Sequence, residues 1–221
     1  MEDRKWERYA ALGGFVFVVL NVIGSFLPGA PPAIDDSAQE IADYFTDHDS
    51  VIQAAQFLAG VGTIGLLWWL GSLWRMMCRA EDERPRLALV AVISIIGAGV
   101  FAMMSGVFTS HTAMYIDTIG DGSKFFYTLS NVTISTSGFF IVAFLAAVSA
   151  LSWRTKMLPM WTTYLGWLSA AGFLVGSGGA ASGRPLFGFF GLGSFLVWCV
   201  WILAVSTFMW RGTSSASTPT S

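Results

Sequence analysis

The chain has 221 residues, 54% of them hydrophobic and only 12% charged, with a formal net charge of -2. Soluble domains carry about a quarter charged residues, so half the usual charge is missing. It is missing in long blocks, as in a chain solvated by lipid. The near-neutral balance, with no basic run and no zinc-type spacing, excludes a nucleic-acid partner.

A bilayer core about 30 Å thick takes about 20 apolar residues as a helix. Six segments meet that length, over residues 9–27, 51–77, 87–110, 125–153, 161–178 and 187–210. The predicted fold is all-α, a six-helix integral membrane bundle forming one domain over residues 1–211. The Ser/Thr-rich residues 212–221 form a tail expected to be disordered. No Asp, Glu, Lys or Arg falls near the centre of any segment, so no helix carries the cost of an intramembrane charge.

Arg4, Lys5 and Arg8 precede the first apolar run, which gives way to Pro28-Gly29-Ala30-Pro31-Pro32-Ala33. A secretory signal with a small-residue cleavage site has the same layout. The run is longer than the 7–15 residues of a signal core, so it is read as a first membrane helix. The next stretch holds Asp35, Asp36, Glu40, Asp43, Asp47 and Asp49 and no cation. Within it Ser37-Ala38-Gln39-Glu40 spells a capping box. Ala38, Ile41, Ala42 and Phe45 share one helical face. The pattern predicts a short amphipathic helix that lies on the outer surface or lids the bundle.

Cation placement gives the orientation. With the N-terminus cytoplasmic, Arg4, Lys5, Arg8, Arg75, Arg79, Arg84, Arg86, Arg154, Lys156 and Arg211 fall inside, and only Lys124 and Arg184 outside. This is a strong positive-inside bias over short loops, predicting both termini in the cytoplasm. The second, fourth and sixth helices end in Trp74-Arg75, Trp153-Arg154 and Trp210-Arg211. On this map all ten tryptophans lie at the inner interface or in the inner half of a span, and they are read as interfacial anchors.

Small residues mark packing faces: Gly60, Gly62 and Gly65 in the second helix, Gly97 and Gly99 in the third, Gly172 and Gly176 in the fifth. Cys78 sits at the cytoplasmic surface beside Arg75 and Arg79, Cys199 within a span. They match no metal or redox spacing, although a juxtamembrane Cys78 is open to acylation. No internal repeat stands out, so an inverted-repeat transporter has no direct support.

Polarity within the membrane gathers in the outer half. The fourth helix presents Thr128, Asn131, Ser135 and Gly138 on one stripe, and Ser130, Thr133 and Ser137 on the next. Asn21, Gln53, Gln56, Ser105 and Thr109 lie at comparable depth. Asn21, Gln53, Gln56, Thr109, Asn131 and Ser135 are the candidate lining of an outward-open cavity. The same groups serve equally as interhelical glue.

His48 and His111 lie at the outer interface. With Asp117 and Asp121, and with Asp47 and Asp49 nearby, they are weak candidates for a divalent-cation site, although their spacing matches no ligand pattern. A haem would need them facing one another inside the bundle. Asn131-Val132-Thr133 fits a glycosylation sequon but lies close to the membrane. No nucleophile elbow, metalloprotease motif, P-loop or intramembrane Asp pair is present. No cofactor and no enzymatic activity are expected.

The segment from Pro28 through Asp36-Ser37-Ala38-Gln39-Glu40-Ile41 to His48, the helix end Leu70-Gly71-Ser72-Leu73-Trp74-Arg75, and Met157-Leu158-Pro159-Met160-Trp161 before Leu165-Gly166-Trp167 resemble a family of bacterial multi-pass proteins. That family is common in actinobacteria and known only as a domain of unknown function. The resemblance spans most of the chain and implies a helical bundle in a bacterial inner membrane; it carries over no activity and no site residues. Three readings follow. The first is a non-enzymatic accessory or scaffold protein that packs against a membrane partner or itself. The second is a small carrier or binding protein for an uncharged or lipid-like solute. The third is an outer-face metalloenzyme using His48 and His111.

Overall fold

In a computed structural model of the chain, residues 2–81, 85–179 and 185–215 are described, with side chains from Tyr9 onward except at Asp121, Pro185 and 212–215. The described residues form helices and no strand: α1 (Glu2–Phe26), α2 (Ala38–Glu81), α3 (Arg86–Met114), α4 (Ile116–Ile119), a 3-10 turn (Gly120–Gly122), α5 (Ser123–Thr155), α6 (Met160–Gly176) and α7 (Pro185–Ser215). Five of them, α1, α2, α3, α5 and α7, are long and apolar enough to cross a membrane. Helix α6 has 17 residues, about 25 Å at 1.5 Å per residue. The outside of the molecule is itself apolar: Phe57, Val107, Leu168 and Phe189 are 72%, 63%, 61% and 74% exposed. Water would penalise such a surface and lipid would not.

Consecutive long helices pack antiparallel, and α7 closes against α1, so the order around the bundle is α1, α2, α3, α5, α6, α7. Three helical hairpins make up this ring, α1–α2, α3–α5 and α6–α7. Their second helices meet at its centre, where Trp201 packs edge-to-face on Trp69 (6.1 Å) and on Phe144 (5.8 Å).

The three second helices share a register of buried positions, without a repeat of side-chain identity. Each second helix runs into Trp-Arg. At equal distances ahead of that tryptophan stand the buried sets Gly62, Ile141 and Trp198; Leu66, Leu145 and Ile202; Trp69, Val148 and Val205; Leu70, Ser149 and Ser206. Ala55 and Gly191 are likewise matched. Each lies against a glycine of its own first helix: a Cβ on Gly24 would meet the Ala55 carbonyl oxygen at 3.0 Å, and one on Gly176 the Gly191 backbone at 2.9 Å.

The expected amphipathic helix is present: it covers the stretch before His48, where a kink (φ -123, ψ 15) sets it off as an arm from the rest of α2. Two expectations are corrected. Trp69, Trp198 and Trp201 are core residues, 0%, 5% and 1% exposed. Trp68, Trp153, Trp161 and Trp167, by contrast, are exposed. Helix α7 continues to Ser215, past the expected start of the tail at residue 212; residues 216–221 lie outside the described residues.

At the Trp-Arg end, the Glu81 carboxylate accepts the backbone N–H groups of Leu87 (2.8 Å) and Ala88 (3.0 Å), capping the otherwise unpaired first turn of α3. Lys156 ends α5 in the left-handed region (φ 57), and its Nζ lies 5.5 Å from the centre of the Trp153 ring.

Candidate functional site: a polar band beneath a capping arm

The arm begins where the sequence places it. The Ser37 N–H donates to a Glu40 carboxylate oxygen (2.9 Å), and the Glu40 N–H donates to Ser37 Oγ (3.2 Å), the reciprocal capping box. These bonds, the backbone one first, hold the Glu40 carboxyl below the usual carboxylate range. Glu40 lies on the arm, ahead of the spanning part of α2. The arm lids the bundle: Ile41 and Phe45 are 0% and 1% exposed and pack with Ile52, Ala113, Ile116 and Tyr127.

A second, larger apolar cluster fills the other half, from Phe17, Leu66 and Trp69 through Phe144 and Leu145 to Trp201 and Val205. Between the two clusters the helices turn polar. One helical turn below the capping cluster, Ile52 is followed by Gln56 on α2, Ala113 by Thr109 on α3, and Tyr127 by Asn131 on α5. Thr109 Oγ1 lies 2.7 Å from Ser130 Oγ. Ser105 Oγ lies 2.8 Å from that same hydroxyl and donates to the Ser130 carbonyl at 3.0 Å.

The structure therefore brings some of the expected lining residues together and parts others. Gln56, Thr109 and Asn131 occupy one level under the arm. Asn21 sits instead at the α1–α2 seam, its Nδ2 donating to the Phe17 carbonyl (3.0 Å) and packed on Gly62. Ser135 faces Gly179, where a Cβ would lie 3.4 Å from its Oγ. Gln53 is half-buried on α2, one residue past Ile52. Asn131 Nδ2 donates to the Tyr127 carbonyl (2.9 Å), so the sequon amide is engaged within its own helix.

What composition could not reveal is a recurring device at the seams of the ring. A polar side chain lies over a glycine of the neighbouring helix at five seams: Asn21 on Gly62, Gln56 on Gly106, Ser149 on Gly166, Ser194 on Gly172 and Ser206 on Gly14. Ser177, capping α6, lies likewise on Gly138 of α5. The remaining seam, α3–α5, is joined by the Ser105–Ser130 bonds. Among the described residues the hydroxyls of Ser149, Ser177 and Ser206 have no hydrogen-bond partner. Each faces a glycine Cα, the arrangement of a weak Cα–H···O contact between helices. A sequence reader sees glycines and serines but not which of them face across a seam.

The histidines stay apart from any such constellation. His48 Nδ1 donates to the Tyr44 carbonyl (2.9 Å), and its ring stacks on Tyr44 at 4.7 Å. His111 lies among aromatic rings, 5.0 Å from Tyr115 and 4.9 Å from Phe126. Asp117 is exposed, and the Asp121 side chain lies outside the description. Among the described residues, no group of three or more His, Cys, Asp or Glu side chains could hold a metal ion. No family model, curated protein or solved structure matches the chain.

Proposed function

We propose that the chain is a six-span protein of a bacterial inner membrane, α6 being the short sixth span, with both termini in the cytoplasm. It acts without catalysis, as an accessory or scaffold that packs against a membrane partner or a second copy of itself. The observation that carries this reading is the use made of intramembrane polarity. Small polar side chains are distributed around the seams of the ring, one helix against the next, as glue in a lipid-solvated bundle. The antiparallel ring leaves Tyr9 and Arg211 at one end with the Trp-Arg pairs, which supports placing that end at the cation-rich cytoplasmic face. Native mass measurement in mild detergent tests the proposal. A complex with a second copy or a stoichiometric partner is expected, and a lone monomer counts against it.

A second reading is favoured by one specific observation, the placing of Gln56, Thr109 and Asn131 at one level under a cap. It makes the protein a binder or carrier of an uncharged solute that these amide and hydroxyl groups would recognise. Ligand-induced thermal stabilisation that disappears in Asn131→Leu would support it.

A further inference from the structure

We propose that residues 38–47 form a hinged lid, pivoting at His48, whose raising opens the Gln56–Thr109–Asn131 level to the aqueous phase. The inference concerns movement and rests on neither reading of the function. The lid is flanked by irregular backbone on both sides. Ahead of it runs a loop in which Gly29 adopts φ +77, a conformation open to glycine at little cost. After it, His48 leaves helical geometry (φ -123, ψ 15). The His48 ring bonds the Tyr44 carbonyl at the bend, and Asp49 accepts the Ser50 N–H where the helix resumes. Bending therefore does not strand these groups.

The lid is latched through the loop that leads into it, residues 28–36, whose carbonyls accept from side chains. Lys124 Nζ reaches the Asp36 carbonyl (2.6 Å), Tyr127 Oη the Pro32 carbonyl (2.6 Å), and Tyr44 Oη the Pro28 carbonyl (3.2 Å). Two of the latches come from α5, an element the lid would leave behind on opening. Under it Ile41 and Phe45, with the partly buried Ala42 and Tyr44, pack against Ile52, Ala113, Ile116 and Tyr127. This contact is small beside the basal cluster, so the arm is the part of the fold able to open alone. Immediately below it stand the half-buried polar side chains of Gln56, Thr109 and Asn131.

Hydrogen exchange on the full chain in lipid nanodiscs, read by mass spectrometry, tests the lid. The amides of residues 38–47 should exchange as one unit, ahead of those in residues 51–77. Tyr127→Phe keeps the ring and removes one latch, and should speed the arm roughly fivefold, the ratio for one neutral hydrogen bond. Lys124→Met should do the same by a separate latch. In a background lacking Cys78 and Cys199, Thr109→Cys should react with a membrane-impermeant maleimide, faster in the same proportion when Tyr127→Phe is added. Exchange of the arm in step with residues 51–77, equal acceleration of the whole bundle, or maleimide labelling indifferent to Tyr127 would each overturn the proposal.

Discussion

The Cα of Gly14 faces the Ser206 hydroxyl so closely that no methyl group fits between them, and Gly166 meets Ser149 in the same way. Ser206 and Ser149 stand at one register position ahead of Trp210 and Trp153, so the two contacts are copies of each other, each joining the second helix of one hairpin to the first helix of the next. A Cβ on Gly14 would also fall 2.9 Å from the Trp69 indole nitrogen, and one on Gly166 3.2 Å from that of Trp201.

Gly166→Ala should therefore destabilise the bundle by about 1–3 kcal/mol, the usual range for overpacking. Because the added methyl meets chiefly the Ser149 hydroxyl, Ser149→Ala should restore most of the loss. A double-mutant cycle of thermal unfolding in detergent measures the coupling. Additive losses would show that the contact does not hold the α5–α6 seam.

Glycines facing open space should behave oppositely. Nothing lies within 4 Å of a Cβ at Gly60 or Gly99, whereas one at Gly65 would meet the Gly13 carbonyl oxygen at 2.7 Å. Gly60→Ala and Gly99→Ala should leave the melting temperature unchanged or raise it, since alanine favours helix by up to about 1 kcal/mol. Gly65→Ala should lower it. The sequence marked these glycines together as packing faces; only their neighbours tell them apart.

The lid should loosen in acid. Glu40 has a folded pKa below its ordinary value, so its capping contribution is complete above that ordinary value. It is lost as pH falls through the folded one. Exchange in residues 38–47, corrected for intrinsic rate, should rise on acidification in the wild type and stay flat in Glu40→Gln. Equal pH responses in the two proteins would remove the cap as the cause.

Orientation has its own check. With native cysteines replaced, Asp43→Cys should be labelled from outside intact cells and Lys156→Cys only after the membrane is opened. The reverse pattern would turn the bundle over.

Much of this architecture was legible in the chain. The apolar runs, the Trp-Arg ends and Ser37-Ala38-Gln39-Glu40 gave the spanning helices and the start of the arm, because each is a local signal. The kink at His48 was not legible, since no proline or glycine marks it. Nor were Trp69 and Trp201 as centre rather than rim: an indole suits either, and only the ring closure between α1 and α7 decides. The candidate lining split for the same reason. Residue depth can be counted along a helix, but the direction in which Asn21 or Ser135 points depends on which neighbour is adjacent.

Trp201 has a mechanical consequence. Touching Trp69 of α2 and Phe144 of α5 while shut off from solvent, it ties the second helices of all three hairpins together at one depth. An opening of the arm above would therefore leave that knot of rings in place.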